Sequence, residues 1–327
     1  MVFFFRDKSF ANIFFLLLLS LAVHIHFFTT PPVVVITNNQ GLITNFLIRF
    51  IKPLPTSLLF LFYHLLILLQ ALRLNTILNN LKMYHQQHFT VAMAYILFSG
   101  FFTQWCAITP ALLANSLVIL IFLLLAKMYN HPSPKTLLFN IGLLSSITIL
   151  CFHPTSILVG ITLFALTIVR AFKLAEWFVL LMGIALPFYF LASYLFLTDN
   201  LGQLQNYLPI LQFHLPVQQS SAVLWLSIAL LLIISLAGLY YNQLNSGRMV
   251  IQIRKNWGVM MVLLVLMLPI PFIFKGVGME SAVLSLIPLA AFAANAYSYP
   301  KRLFLPNILF WLSVALIVYN NWLIVKN

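Results

Sequence analysis

The amino-acid sequence predicts an all-α fold, a polytopic bundle of transmembrane helices, and three observations lead to this prediction. Hydrophobic residues make up 63% of the 327 residues and charged residues only 6%, whereas a soluble domain carries about 25% charged residues. The mean hydropathy is +1.04. Apolar runs of about 20 residues, each long enough for a hydrocarbon core of roughly 30 Å, recur along the chain. We therefore expect one integral membrane domain over residues 1–327.

Apolar runs bounded by polar or proline-rich breaks define about 11 candidate spans. The first run follows Arg6 and Lys8. Because no small-residue cleavage motif comes after it and further spans do, we interpret it as a helix and not as a signal peptide. The predicted spans lie near 11–28, 55–74, 91–107, 110–127, 137–152, 155–171, 177–197, 221–242, 257–274, 280–297 and 303–325.

The distribution of the basic residues, which give the chain a net charge of +13, predicts the orientation of the bundle. The basic residues are spread between the spans instead of forming one patch, so we expect no nucleic acid partner. With the N-terminus inside and the C-terminus outside, most of them fall in inner loops, as the positive-inside rule requires. The inner set is Arg6, Lys8, Arg73, Lys82, Lys127, Lys135, Arg170, Lys173, Arg248, Arg254, Lys255, Lys301 and Arg302, and the outer set is Arg49, Lys52, Lys275 and Lys326.

A charged stretch between the sixth and seventh predicted spans indicates a short cytoplasmic turn. Arg170 and Lys173 anchor it, and Trp177 is expected at the level of the lipid headgroups. Glu176 lies three residues after Lys173 and is expected to pair with it if the turn is helical. Because an ion pair near water contributes about 0–1 kcal/mol, the sequence predicts that Glu176→Gln costs little stability.

Two loops show helical spacing of apolar residues. Residues 41–53 place Asn45, Arg49 and Lys52 on one side and apolar residues on the other, which predicts an amphipathic helix lying on the outer membrane surface after the first span. A weaker repeat within 74–89 predicts a second interfacial helix on the inner side.

Acidic residues are scarce, since only Asp7, Glu176, Asp199 and Glu280 occur in the chain. None falls in the middle of a predicted span, which disfavours a proton-coupled pump that uses buried carboxylates. Asp199 and Glu280 on the outer side are the candidate catalytic bases, although solvated loop acids commonly have no such role. The sequence has no glycine-rich phosphate loop, zinc spacing or catalytic serine elbow.

Polar residues inside the predicted spans are candidates for lining a cavity. His64 falls in the middle of a span and is expected to face the bundle and hydrogen-bond there. The full set of candidate lining residues is His64, Gln104, Asn115 and Asn140. Four histidines map to the outer side without a known metal spacing, so we predict no metal and no cofactor; they are His24, His26, His153 and His214.

The cysteines leave two alternatives open. Cys106 and Cys151 are both placed near the outer ends of their spans. They either form a disulfide in an oxidising compartment or are two thiols that behave as small apolar side chains.

Residues 152–196 resemble a family of uncharacterised inner-membrane proteins from Bacteroidetes. The resemblance is carried by His153 before a proline, Arg170, the pair Glu176 and Trp177, Gly183 and Pro187, together with "FFRDKSF" near the N-terminus and "ALLANSL" at 111–117. It implies the inner membrane of a Gram-negative cell and assigns no catalytic residue.

The arrangement of many spans with an amphipathic outer helix after the first one also resembles, more distantly, the membrane-embedded (GT-C-like) lipid-linked glycosyltransferases. Those enzymes keep an essential acidic residue in the first outer loop, whereas residues 29–54 contain no Asp or Glu. The resemblance implies that Arg49, Lys52 and Lys275 bind the phosphate of a polyprenyl-phosphate sugar. The base would then be Asp199 or Glu280.

Three functional hypotheses follow. The leading one is a non-catalytic or accessory inner-membrane component of the cell envelope, with membrane lipids and other envelope proteins as partners. The second is the glycosyltransferase acting at the outer face, and the third is a transporter of a small molecule or lipid.

Overall fold

A computed structural model of the chain describes residues 1–9, 11–36, 41–129, 131–207, 209–214 and 222–323. These residues form α-helices, short 3-10 helices, one π-helical segment and two isolated β-bridges, which confirms the predicted all-α fold. The α-helices are α1 (Val2–Phe5), α2 (Ala11–Val23), α3 (Leu42–Ile51), α4 (Thr56–Asn80), α5 (Thr90–Ser99), α6 (Pro110–Lys127), α7 (Pro134–Cys151), α8 (Ile157–Val169), α9 (Leu174–Leu197), α10 (Ala222–Ser246), α11 (Ile251–Met267), α12 (Ile270–Ile273), α13 (Leu286–Ser298) and α14 (Phe304–Val318).

Long apolar helices confirm that the chain is a polytopic membrane protein. In the described part of the chain, 8 helical segments are long and apolar enough to cross a membrane, and each coincides with a predicted span. The remaining three predicted spans fall on α2, α5 and α8, which are shorter apolar helices. A 3-10 turn adjoins each of these, namely Ile25–Phe28, Thr103–Trp105 and His153–Ser156. For these three segments a complete crossing remains a prediction.

Prolines and one capping side chain set several helix boundaries. Thr109 Oγ1 accepts a hydrogen bond from the Leu112 amide at 3.1 Å, and Pro110 occupies the first helical position of α6, where its missing N–H costs nothing. Pro269 lies between α11 and the short α12, because proline cannot continue the hydrogen-bond ladder, and Pro271 occupies the first turn of α12. Pro187 lies inside α9, whose helix continues through it.

The centre of the bundle is formed by α5 and α13, which pack against each other. All ten residues of α5 are buried, as are residues 286–297 of α13. Small residues allow close approach, and Gly238 of α10 would place an added Cβ 2.0 Å from the Phe292 carbonyl oxygen. The more exposed helices surround this pair and present their apolar side chains outward.

Hydrogen bonds join the connecting segments into two ends of the bundle. One end, here called the basic end, is linked by Phe89 N donating to Phe5 O at 2.8 Å and by Trp257 Nε1 donating to Met83 O at 3.2 Å. The opposite end is linked by Ile108 N donating to Val33 O at 3.0 Å and by Trp105 Nε1 donating to Met279 O at 2.9 Å. Which end faces the cytoplasm remains a prediction, and Lys326 lies outside the described residues.

The two predicted interfacial helices have different outcomes. The helix predicted after the first span is present as α3, with its apolar and polar residues on opposite sides, and its location at the membrane surface remains a prediction. The second is wrong, because α4 continues without a break to Asn80 and residues 74–80 are its last two turns.

Candidate functional site

A groove at the opposite end, here called the α3 groove, brings together two of the predicted phosphate-binding residues. Its volume is about 1170 Å³. Its walls come from α3, from the last turns of α9 and from the 3-10 helix Leu201–Tyr207. The lining residues are Ile36, Leu42, Asn45, Phe46, Ile48, Arg49, Lys52, Pro53, Tyr194 and Tyr207.

The N-terminus of α3 is fixed to the C-terminus of α7. The Gly41 amide donates to the Cys151 carbonyl at 2.9 Å, and Thr44 Oγ1 donates to the same oxygen at 2.6 Å. An added Cβ at Gly41 would lie 1.9 Å from the Leu150 carbonyl oxygen, so the backbones approach as closely as glycine allows. These contacts set the position of the whole of α3, because the helix is only ten residues long.

The two cations of the α3 groove are exposed, and their side chains have no partner among the described residues. Arg49 and Lys52 are three residues apart on one helix, which places them on one face. Both are exposed, and among the described residues neither side chain takes part in a hydrogen bond or an ion pair. Asn45 lies one turn before Arg49 on the same face and also lines the groove.

The other wall of the α3 groove carries two tyrosines that the sequence did not single out. Tyr194 comes from the end of α9 and Tyr207 from the following 3-10 helix. Beneath them a small apolar cluster joins α7 to α9; its buried members are Leu150, Leu191 and Leu195, with Tyr207 packed against them. No local spacing predicts this wall, because it depends on contacts between segments far apart in sequence.

The other candidate site residues of the opposite end do not line the α3 groove. Asp199 is exposed just after α9, with a left-handed φ of 56°. The Glu280 carboxylate accepts a hydrogen bond from the Gly278 amide at 3.0 Å, within its own turn. Lys275 is exposed, and its backbone amide donates to Ile210 O at 3.0 Å. The roles assigned to these three residues from sequence remain predictions.

His64 belongs to a buried cluster of aromatic and polar side chains between α2 and α4. Its Nδ1 lies 2.8 Å from Ser20 Oγ. The His24 ring lies 5.6 Å from the His64 ring, between centroids, and His24 Nε2 lies 3.2 Å from the Tyr63 hydroxyl. Among the described residues no group of His, Cys, Asp and Glu is arranged to hold a metal ion. His153 and His214 have separate surroundings, the first near Tyr207 and the second bonded to Val277 O.

A second buried polar network connects four helical segments. Tyr95 of α5 donates its hydroxyl proton to Gln70 Oε1 at 2.7 Å. Asn115 of α6 donates to Val283 O at 2.8 Å. These bonds tie α4, α5, α6 and the 3-10 helix Met279–Ser285 together. Gln104 and Asn140, the other candidates for lining a cavity, are exposed at separate places.

At the basic end, Glu176 pairs with a different residue from the one predicted. The expected partner, Lys173, is exposed and has an extended backbone. Arg170 Nε instead lies 3.0 Å from Glu176 Oε2, and Arg170 Nη1 donates to the Met128 carbonyl at 3.1 Å. Trp177 packs against Phe172, 5.4 Å between ring centroids. The backbone of this turn is not helical, so the spacing of three residues between Lys173 and Glu176 did not bring these two side chains together.

The cysteines are both free and buried. Cys106 donates to the Phe102 carbonyl at 3.5 Å, and the Cys151 carbonyl is the acceptor for α3. They correspond to the second of the two alternatives, small thiols without a bond between them.

Comparison with known proteins gives a family. The model of a family of unknown function (DUF6427) matches residues 13–326. Comparison with curated proteins found no match, and comparison with solved structures found none either. The match confirms the expectation of an uncharacterised family, whereas the bacterial group and the likeness to glycosyltransferases remain predictions. Because the matched residues cover nearly all of the sequence, the chain belongs to the family of unknown function DUF6427.

Proposed function

We propose that the chain is a non-catalytic accessory component of the cell envelope, located in the inner membrane, that holds a phosphorylated lipid in the α3 groove. The observation that carries the proposal is the pair Arg49 and Lys52, exposed without a partner among the described residues and next to an apolar wall.

The chemistry of the groove matches the two parts of such a lipid. A phosphate accepts charge-assisted hydrogen bonds, bidentate from Arg49 and monodentate from Lys52, and these bonds are stronger than those between neutral groups. Leu42, Phe46 and Ile48 provide the apolar surface for the first part of the lipid tail. An amphipathic helix that lies in the membrane interface holds its charged side chains at the depth of lipid phosphates.

The predicted orientation of the bundle places the α3 groove on one side of the membrane. Under the positive-inside rule the basic end lies in the cytoplasm and the α3 groove faces the outer leaflet. A lipid that carries a phosphate there, such as a polyprenyl phosphate, is available to other envelope proteins that bind beside this chain.

Native mass spectrometry of the protein extracted in native lipid tests the proposal. We expect one phosphorylated lipid to remain bound to the wild type and to be lost in Arg49→Gln/Lys52→Gln. Lys135→Gln/Lys173→Gln is the matched control, since it also removes two exposed cations, both of them at the basic end. Retention of the lipid in the double variant would refute the proposal.

A glycosyltransferase is the second candidate, favoured by one observation. Asp199 follows the end of α9 by two residues, and Tyr194 of the same helix lines the groove. A carboxylate at this place has the chemistry of a general base for transfer to a lipid-linked acceptor. Sugar transfer that is abolished by Asp199→Asn, with lipid binding intact, would establish this function in place of the accessory one.

A further inference from the structure

A second cavity, at the basic end of the bundle, has chemistry of its own and does not depend on the α3 groove. Its volume is about 430 Å³. It lies where the N-terminal segment, the connection from α4 to α5 and the connection from α13 to α14 meet. Its polar lining consists of Arg6, Asp7, Tyr84, His85, Gln86, His88, Ser298, Tyr299 and Lys301.

Hydrogen bonds and a ring contact position the side chains that frame this cavity. Arg6 donates through both Nε and Nη2 to the Tyr297 carbonyl, at 2.9 and 2.7 Å. The Tyr84 hydroxyl donates to the Ala291 carbonyl at 2.7 Å. The His85 ring meets Tyr299 edge-on, with centroids 5.8 Å apart. The wall is therefore built from side chains that are held in place before any ligand arrives.

Two basic residues line this cavity, and neither forms an ion pair within the described part of the chain. Arg6 keeps Nη1 without a partner in the described structure, and Lys301 is exposed without an ion pair or hydrogen bond. Asp7 also lines the cavity, and the only ion pair among the described residues joins Arg170 to Glu176. The lining therefore holds two cations against one carboxylate, and both cations can still donate to a bound anion.

His88 forms part of the wall as a neutral ring. Its Nδ1 lies 2.8 Å from Thr90 Oγ1, and its Nε2 is buried without a hydrogen-bond partner in the described part of the chain. Burial lowers the pKa of His88 to about 4, and the charge of Arg6 acts in the same direction. The positive charge of the cavity at neutral pH thus rests on Arg6 and Lys301.

We infer that this cavity is a binding site for a phosphate-bearing anion, held between Arg6 and Lys301. Phosphate fits because it accepts several charge-assisted hydrogen bonds at once, from the free guanidinium nitrogen, the ammonium group and the neutral donors Gln86 and Tyr299. Two sources carry the same chemistry, the headgroup of a lipid in the adjoining leaflet and a free phosphate from solution.

The test uses the full chain with Lys52→Gln, so that the α3 groove contributes less to phosphate binding. Its thermal unfolding midpoint is followed in detergent as inorganic phosphate rises, with chloride at equal ionic strength as the reference. A parallel arm counts bound lipids by native mass spectrometry from nanodiscs of phosphatidylcholine with and without phosphatidylglycerol. Lys301→Gln is the test variant, and Arg302→Gln, which removes the neighbouring charge outside the cavity, is the matched control.

We expect Lys301→Gln to weaken binding about tenfold, the loss of one charge-assisted hydrogen bond, and Arg302→Gln to leave it nearly unchanged. A saturable midpoint rise with phosphate alone identifies the free anion, and a retained phosphatidylglycerol without that rise identifies the lipid; both outcomes support the site. Equal weakening in the two variants, or binding of neither probe, would overturn the inference.

Discussion

Two pairs of cations, one pair at each end of the bundle, have different surroundings. At the basic end, Arg170 is paired with Glu176 and Lys255 Nζ donates to the Val169 carbonyl at 2.9 Å. At the opposite end, Arg49 and Lys52 contact no described hydrogen-bond or ion-pair partner. Arg170 and Lys255 hold helices together. Arg49 and Lys52 contribute little to folding, and their side chains are available to a ligand. The difference separates residues that hold the structure together from residues that we propose bind a ligand, and substitutions can test it.

The largest effect is expected at the basic end. Glu176 is 4% exposed, so Glu176→Gln leaves the charge of Arg170 partly buried without its partner. We expect a loss of about 3 kcal/mol in the free energy of unfolding, in place of the small cost that the sequence predicted for a pair near water. Unfolding by steric trapping in bicelles measures it.

Lys173→Gln is the control for this prediction, since Lys173 is an exposed cation of the same turn. Its expected change is within about 0.5 kcal/mol. If both variants cost equally little, the pair of Arg170 and Glu176 does not hold this end of the bundle together.

The next largest effect is expected where α3 joins α7. Gly41→Ala places a methyl group on the Leu150 carbonyl, and we expect it to cost about 2 kcal/mol and to weaken lipid retention by displacing α3. Gly160→Ala is the matched control, because an added Cβ there meets nothing within 4 Å. Differential scanning fluorimetry measures the stability of the two variants, and native mass spectrometry counts their bound lipids. Equal stability and equal lipid retention in Gly41→Ala and Gly160→Ala would show that the contact of Gly41 with α7 does not position α3.

A third prediction compares the stability cost of substituting a polar residue in the buried network with the cost at an exposed polar residue. Asn115→Ala removes the hydrogen bond to Val283 O and leaves a buried carbonyl without its donor, at a cost of about 1–3 kcal/mol. Asn140→Ala, at an exposed position on α7, is expected to change stability by less than about 0.5 kcal/mol. Equal costs in chemical denaturation would show that Asn115 is not part of the structural network.

The smallest effect on stability is expected for the cations of the α3 groove. Arg49→Gln/Lys52→Gln should alter the free energy of unfolding of the lipid-free protein by less than about 0.5 kcal/mol, because exposed side chains without partners contribute little. A loss of several kcal/mol in denaturant unfolding would mean that these residues are structural, like Arg170.

The sequence predicts some of these features and not others for physical reasons. A long apolar segment indicates a helix that is surrounded by lipid, so the membrane-spanning helices were predictable from composition. Arg49 and Lys52 lie together because neighbours at a spacing of three share a helix face. The groove wall from Tyr194 and Tyr207 was not predictable, since it depends on how α9 packs against α7.

The same limit explains the wrong partner of Glu176. Spacing along a regular helix favoured Lys173, but the backbone is extended at that residue and the chain turns Arg170 toward the carboxylate instead. Local rules fail where a turn departs from regular geometry, and such turns connect the helices at both ends of this bundle.

Phosphate recognition in the α3 groove can be tested by comparing two lipids that differ only in the phosphate. The thermal unfolding midpoint of the wild type and of Arg49→Gln/Lys52→Gln is compared after addition of a polyprenyl phosphate or of the corresponding polyprenol, which has the same tail without the phosphate. We expect the phosphate to raise the midpoint of the wild type only and the alcohol to raise the midpoint of neither protein. Equal responses of both proteins to both lipids would contradict it.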